Sequence, residues 1–156
     1  MRWMWSAAAL AVLAGCSASW TVSETTCERM FRPLMSDVQR AEYYKRQTWA
    51  ERKAYLYEIQ MMQKYEAAPP EIQSAIRNQS VIRGMNPEQV TMSWGPPHRI
   101  EGGPVSTNPA VVGREGRKEL WLYFLVLSPW EFTSRYRRAV EFTNDVVVNV
   151  REGPPK

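Results

Sequence analysis

The chain has 156 residues, a hydrophobic share of 44% and a formal charge of +4. Its seven Trp, seven Tyr and four Phe supply apolar surface for one compact domain with an appendage. So mild a charge excludes the clustered basicity of a nucleic-acid-binding surface, and no nucleic-acid partner is expected.

The amino terminus, MRWMWSAAALAVLAGC, carries a positive charge at Arg2, an apolar run from Trp3 to Leu13, and then small residues. That is the pattern of an export signal, too short to cross comfortably a bilayer's ~30 Å hydrocarbon core. Leu13-Ala14-Gly15-Cys16 resembles the bacterial lipobox, in which the peptide is cut before the cysteine and the cysteine is acylated. Residues 1–15 are therefore expected to be a lipoprotein signal peptide and Cys16 the lipidation site. Its acyl chains would hold the protein to lipid at ~0.8 kcal/mol per buried CH₂. Ser17 follows the cysteine, and a residue other than Asp there implies delivery to the outer membrane, with the domain facing the periplasm. Processing leaves Cys27 as the remaining thiol in an oxidising compartment, either unpaired or crosslinked to another chain. Its position near the anchor favours a free thiol.

Residues 16–35 show no sustained period and read as a lipid-anchored tether. From Ser36 to Ala68 the chain has neither Gly nor Pro. Ser36 and Gln39 have capping-box spacing, Trp49, Leu56, Ile59 and Met62 form a narrow apolar stripe, and Glu42 and Arg46 make an i,i+4 charge pair. The spacing predicts one long amphipathic helix over 36–68, about 45 Å in length. Its stripe requires a partner: its own domain, a second copy, or another envelope protein. Tyr43, Tyr44, Tyr55, Tyr57 and Tyr65 add aromatic surface of the kind enriched in interfaces.

Pro69 and Pro70 end that helix, and Pro70 suits the first turn of a short one with Ile72, Ala75 and Ile76 on one face. The stretch VIRGMNPEQVTMSWGPPHR then specifies a second. Asn86 is an N-cap, Pro87 fits the first helical position, and Gln89 completes a capping box. Met85 and Val90 occupy the positions of a hydrophobic staple, Gly95 suits a left-handed C-terminal conformation, and Pro96-Pro97 prevent continuation. This predicts a helix from Pro87 to about Trp94.

Strand signals follow at HRIEG, at Glu119–Leu127, and in AVEFTNDVVVNV, where Val140 and Phe142, then Val146, Val148 and Val150, alternate. Residues 102–118 read as a long Gly/Pro-rich loop. Asn144-Asp145 is either a tight hairpin turn or a bend in one long strand. Helices followed by antiparallel strands give an α+β class.

The stretch RGMNPEQVTMSWGPPHR, then WLY, then VEFTND-VVVNV resembles the SmpA/OmlA (BamE-like) family of outer-membrane lipoproteins. The matching positions are Gly84, Met85, Gln89, Val90, Gly95, Pro97, Trp121, Tyr123 and Phe142, within a domain at 69–152. The resemblance implies two short helices packed on a three-stranded, or four-stranded, antiparallel sheet, here preceded by the long helix and the tether. It also implies a non-catalytic accessory role in assembling β-barrel proteins into the outer membrane, with a barrel-assembly complex as partner. An inserted long helix would hold the domain away from the lipid.

No residue pattern points to catalysis, a metal or a cofactor. His98 stands alone, Cys16 is consumed by lipid, Cys27 has no second cysteine nearby, and the carboxylates are scattered singly. The segment SPWEFTSRYRR offers a candidate partner-binding patch of Trp130, Phe132, Arg135, Tyr136, Arg137 and Arg138, since Trp, Tyr and Arg dominate interface hot spots. The same residues could meet anionic lipid headgroups, or form a hairpin loop with a solvated rim. Three functions fit: an interaction scaffold in envelope or β-barrel assembly; a periplasmic binding or inhibitor module of the β-lactamase-inhibitor-like fold, acting on an envelope enzyme or ligand; or a hydrolase whose site forms only on folding.

Overall fold

A computed structural model of the chain describes residues 22–104, 117–124 and 136–153. Among them, six α-helices precede four strands: α1 (Glu24–Phe31), α2 (Asp37–Lys45), α3 (Trp49–Glu58), α4 (Met61–Glu66), α5 (Pro70–Arg77), α6 (Pro87–Trp94), β1 (Arg99–Pro104), β2 (Arg117–Phe124), β3 (Tyr136–Thr143) and β4 (Val146–Glu152). The strands form one antiparallel sheet in the order β1-β2-β3-β4, each paired with its neighbour in sequence. This is the α+β class, in its four-stranded form.

The tether ends much earlier than residue 35. Ser23 caps α1 by accepting the Thr26 amide, and Cys27, Met30 and Phe31 on α1 are fully buried. In α1 these apolar residues stand three and four apart, a stripe too short to show as a sustained period in the sequence. Their burial helps to anchor it.

The long helix over 36–68 is not present either; three short helices take its place. Ser36 and Gln39 do form the expected capping box on α2. However, Thr48 and Glu51 form a second one, which starts α3 afresh after Arg46 turns to an extended conformation. Gln60, at φ 62°, then breaks α3 from α4. Tertiary burial accounts for this. Tyr43, Tyr55, Leu56, Met61, Met62 and Tyr65 all reach the core, and they spread too widely around one straight helix to share a face. The i,i+4 pair is also replaced. Glu42 bonds Lys45, while Arg46 sits over the Tyr55 ring at 5.0 Å and reaches Glu58 at 3.9 Å.

Asn144 and Asp145 have φ of 51° and 60°, so they make a tight hairpin turn of the mirror-image type rather than a bend. The valine alternation beyond it departs from the expected one. Val147 is buried and Val150 packs against the core, whereas Val146 and Val148 are exposed. A bulge between Glu141 and Phe142 shifts the register, putting residues three apart in β4 on the same face. The predicted loop at 102–118 is shorter than expected, because Gly102 to Pro104 belong to β1 and Arg117 begins β2.

One face of the sheet carries Trp121, Tyr123, Val140, Phe142 and Val147, which join Met30, Phe31, Tyr43, Leu56, Ile76, Met85 and Val90 of the helical layer in a single buried cluster. Each such side chain contributes roughly 1.5–3 kcal/mol when fully removed from water. The helices from α1 onward and the sheet therefore share one core.

Candidate functional site: the helix–sheet joint and the open sheet face

The stretch before α6 fastens the helical layer to the free edge of β4. The Gly84 amide donates to the Val147 carbonyl at 3.0 Å, and the Val147 amide donates to the Met85 carbonyl at 2.8 Å. Gly84 makes this approach at φ +88°, a conformation side chains rarely adopt. Met85 and Val90 are fully buried as the staple requires, and Asn86 and Gln89 exchange both capping-box hydrogen bonds at 2.9 Å.

At the other end of α6, Gly95 takes φ 81° and ψ −174° rather than the left-handed helical conformation expected of it. This extended, glycine-only region turns the chain straight toward β1, and Pro97 sits half-buried in the connection. The Gly95 carbonyl accepts from the Tyr123 hydroxyl at 3.2 Å, and the Trp94 ring meets Tyr123 edge-on at 5.4 Å. Burial pushes the Tyr123 hydroxyl well above the usual phenol range, so it remains a donor. The Trp121 and Phe142 rings meet at a tilt of 51°, with centroids 4.7 Å apart. Gly84, Met85, Gln89, Val90, Gly95, Pro97, Trp121, Tyr123 and Phe142 thus form one structural joint, and what they do there is pack, cap and turn.

Arg29 reinforces this joint from α1. One guanidinium nitrogen donates to the carbonyls of Met92 and Ser93 at 3.5 and 3.3 Å, and the other to those of Ile76 and Arg77 at 3.2 and 3.4 Å. These are last-turn carbonyls of α6 and α5, where intrahelical partners run out; that of Ile76 also accepts the Gln79 amide at 3.2 Å. A cation at two negative helix ends is favourable on both counts. Sequence reasoning missed Arg29 because its partners lie more than forty positions away; the local signal was a basic residue in the last turn of a short capped helix.

The remaining reactive side chains are committed. His98 Nδ1 accepts the Phe124 amide at 3.3 Å, and its ring packs against Tyr123 and Phe124. Cys27 is a free thiol in the core, and burial raises its pKa to about 11. Among the described residues no three His, Cys, Asp or Glu side chains come together as a metal site.

Of the candidate patch, Trp130, Phe132 and Arg135 lie outside the described residues, as does Cys16, the expected lipidation site. Tyr136 and Arg137 belong to β3, although their side chains are also outside the description. Arg138 turns inward onto its own domain: its guanidinium lies 4.7 Å over the Trp94 ring, and its Nε is 3.8 Å from Glu152.

The second face of the sheet is where the described structure leaves room. A depression of about 470 Å³ is lined by Glu101, Lys118, Leu120, Glu141, Thr143 and Val148, among others. It was not legible in the sequence, because its lining comes one to three residues at a time from four strands. No protein-family model, curated protein or solved structure matches the chain.

Proposed function

We propose that this chain is a non-catalytic lipoprotein of the outer membrane that serves as a protein-interaction scaffold, accessory to envelope or β-barrel protein assembly. The observation that carries the reading is the sequence Leu13-Ala14-Gly15-Cys16-Ser17 placed just ahead of a folded body that begins at Ser23. Residues 17–22 extend at most roughly 20 Å. A body so tied stays beside the leaflet, whereas a continuous helix over 36–68 would have held the sheet domain off it. No helix among the described residues is long and apolar enough to cross a membrane.

Two further observations support a role played by surface. His98 and Cys27, the side chains best suited to acid–base or nucleophilic work, are bound to backbone and buried in the core respectively. The residues that carry the family resemblance hold the helices to the sheet.

Mass spectrometry of the mature amino-terminal peptide, with fractionation of a Cys16→Ser variant, tests the anchor. Acylated Cys16 and release of the variant from membranes are the expected results, and an unmodified terminus overturns the reading. Co-purification from detergent-solubilised membranes tests the role. A stoichiometric assembly complex supports the scaffold, while a single bound hydrolase supports an inhibitor module instead.

A further inference from the structure

The depression on the open sheet face runs across the strands. Glu101, Leu120 and Glu141 oppose one another on β1, β2 and β3; Lys118 and Thr143 form the next row, and exposed Val148 closes the β4 end. Direction decides what can lie there. A peptide that joins a sheet runs alongside an edge strand, where its backbone finds partners. Laid across four strands over their side chains, its amides would lose water and gain nothing. An acyl chain has no such groups to satisfy, and the two interstrand spacings of ~4.8 Å from β2 to β4 offer it roughly 10 Å of path.

Charge then selects the head. The carboxylates lining the depression each have a partner: Glu101 has Arg99 at 3.0 Å, Glu119 has Arg117, and Glu141 has Arg151 and the Asn149 amide at 3.2 Å. Lys118 has no carboxylate partner among the described residues. It stands on β2, opposite Gly103 of β1 on one side and Thr143 of β3 on the other. The site therefore pairs an ammonium that has no carboxylate partner among the described residues with the apolar side chains of Leu120 and Val148, on either side of β3.

We propose that this face binds a single-chain fatty carboxylate, with the carboxylate on Lys118 Nζ and the chain lying over Leu120 toward Val148. The site belongs to the sheet alone and stands whether or not the scaffold reading does.

The test uses the full chain in phosphatidylcholine nanodiscs, with labelled Leu and Val methyl groups, titrated with octanoate and separately with octanamide. Saturable shifts at Leu120 and Val148, absent at buried Leu56, are expected with octanoate. Binding should weaken at least tenfold for octanamide and for Lys118→Gln. Val148→Asp, at an exposed position at the other end, should weaken octanoate as well while leaving the buried methyl spectrum unchanged. Equal binding of amide and carboxylate, an unaffected Lys118→Gln variant, or no saturable shift at these methyls overturns the proposal.

Discussion

The Arg29 guanidinium lies 3.3 Å from the Ser93 carbonyl, linking the first described helix to the end of the last. Through its other nitrogen it holds the end of α5 as well. A single side chain thus binds carbonyls at the ends of two helices, among them that of Ile76, which also accepts the Gln79 amide.

Arg29→Ala should cost about 2 kcal/mol of stability, because hydrogen bonds from a charged donor are worth more than neutral ones and the carbonyls are left partly buried. Urea denaturation measures it. Arg29→Lys should recover less than half, since an ammonium cannot fork between two helix ends. An Arg29→Lys variant as stable as the native chain would show that charge alone suffices.

The glycines separate two kinds of backbone requirement. A Cβ at Gly84 would meet nothing within 4 Å, so Gly84→Ala should cost only the strain of φ +88°, about 1 kcal/mol. A Cβ at Gly102 would sit 2.5 Å from the Lys118 carbonyl oxygen, on top of φ +101°. Gly102→Ala should therefore cost more, roughly 2–3 kcal/mol, and part β1 from β2. Thermal melts of the two variants rank them directly.

Cys27 makes stability fall in alkali. Burial raises its pKa from 9.0 to about 11, so the folded chain keeps a proton the unfolded chain loses. The sign follows: this stabilisation is whole below pH 9 and declines as pH rises toward 11, by roughly 2 kcal/mol in all. Tyr43, raised to about 12 by its own burial, adds to the decline above pH 10. Melting temperatures at pH 8 and pH 10 should differ more in the native sequence than in Cys27→Ala. The thiol should also react with iodoacetamide far more slowly in the folded chain than in urea, since reaction requires opening of the core.

The Tyr43 hydroxyl is buried without a hydrogen-bond partner among the described residues, although its ring fills core space and receives Arg52 at 5.8 Å. Tyr43→Phe keeps the ring and removes the orphaned donor, so it should be neutral or stabilising by up to about 1 kcal/mol. A clear loss of stability in denaturant would mean that the hydroxyl has a partner after all.

What the sequence by itself determined were the features written in neighbouring residues. Asn86, Pro87, Gln89 and Gly95 set the ends of α6 because caps act within one turn, and Pro70 did the same for α5. The antiparallel strands were legible for the same reason, whereas Asn144-Asp145 read equally as a turn or a bend until their φ of 51° and 60° decided for the turn. Thr48 and Glu51 were equally readable, yet the continuous polar-apolar run around them masked the break in 36–68. Only the tertiary structure decided that this run would fold as three helices, that α1 would enter the core, and that Arg29 would close two helix ends. Likewise, the bulge opposite Glu141 decided which valines face the helices, and the sheet assembled Lys118, Leu120 and Val148 into one depression. Those outcomes depend on burial and on partners far apart in the chain, and local periodicity carries no record of either.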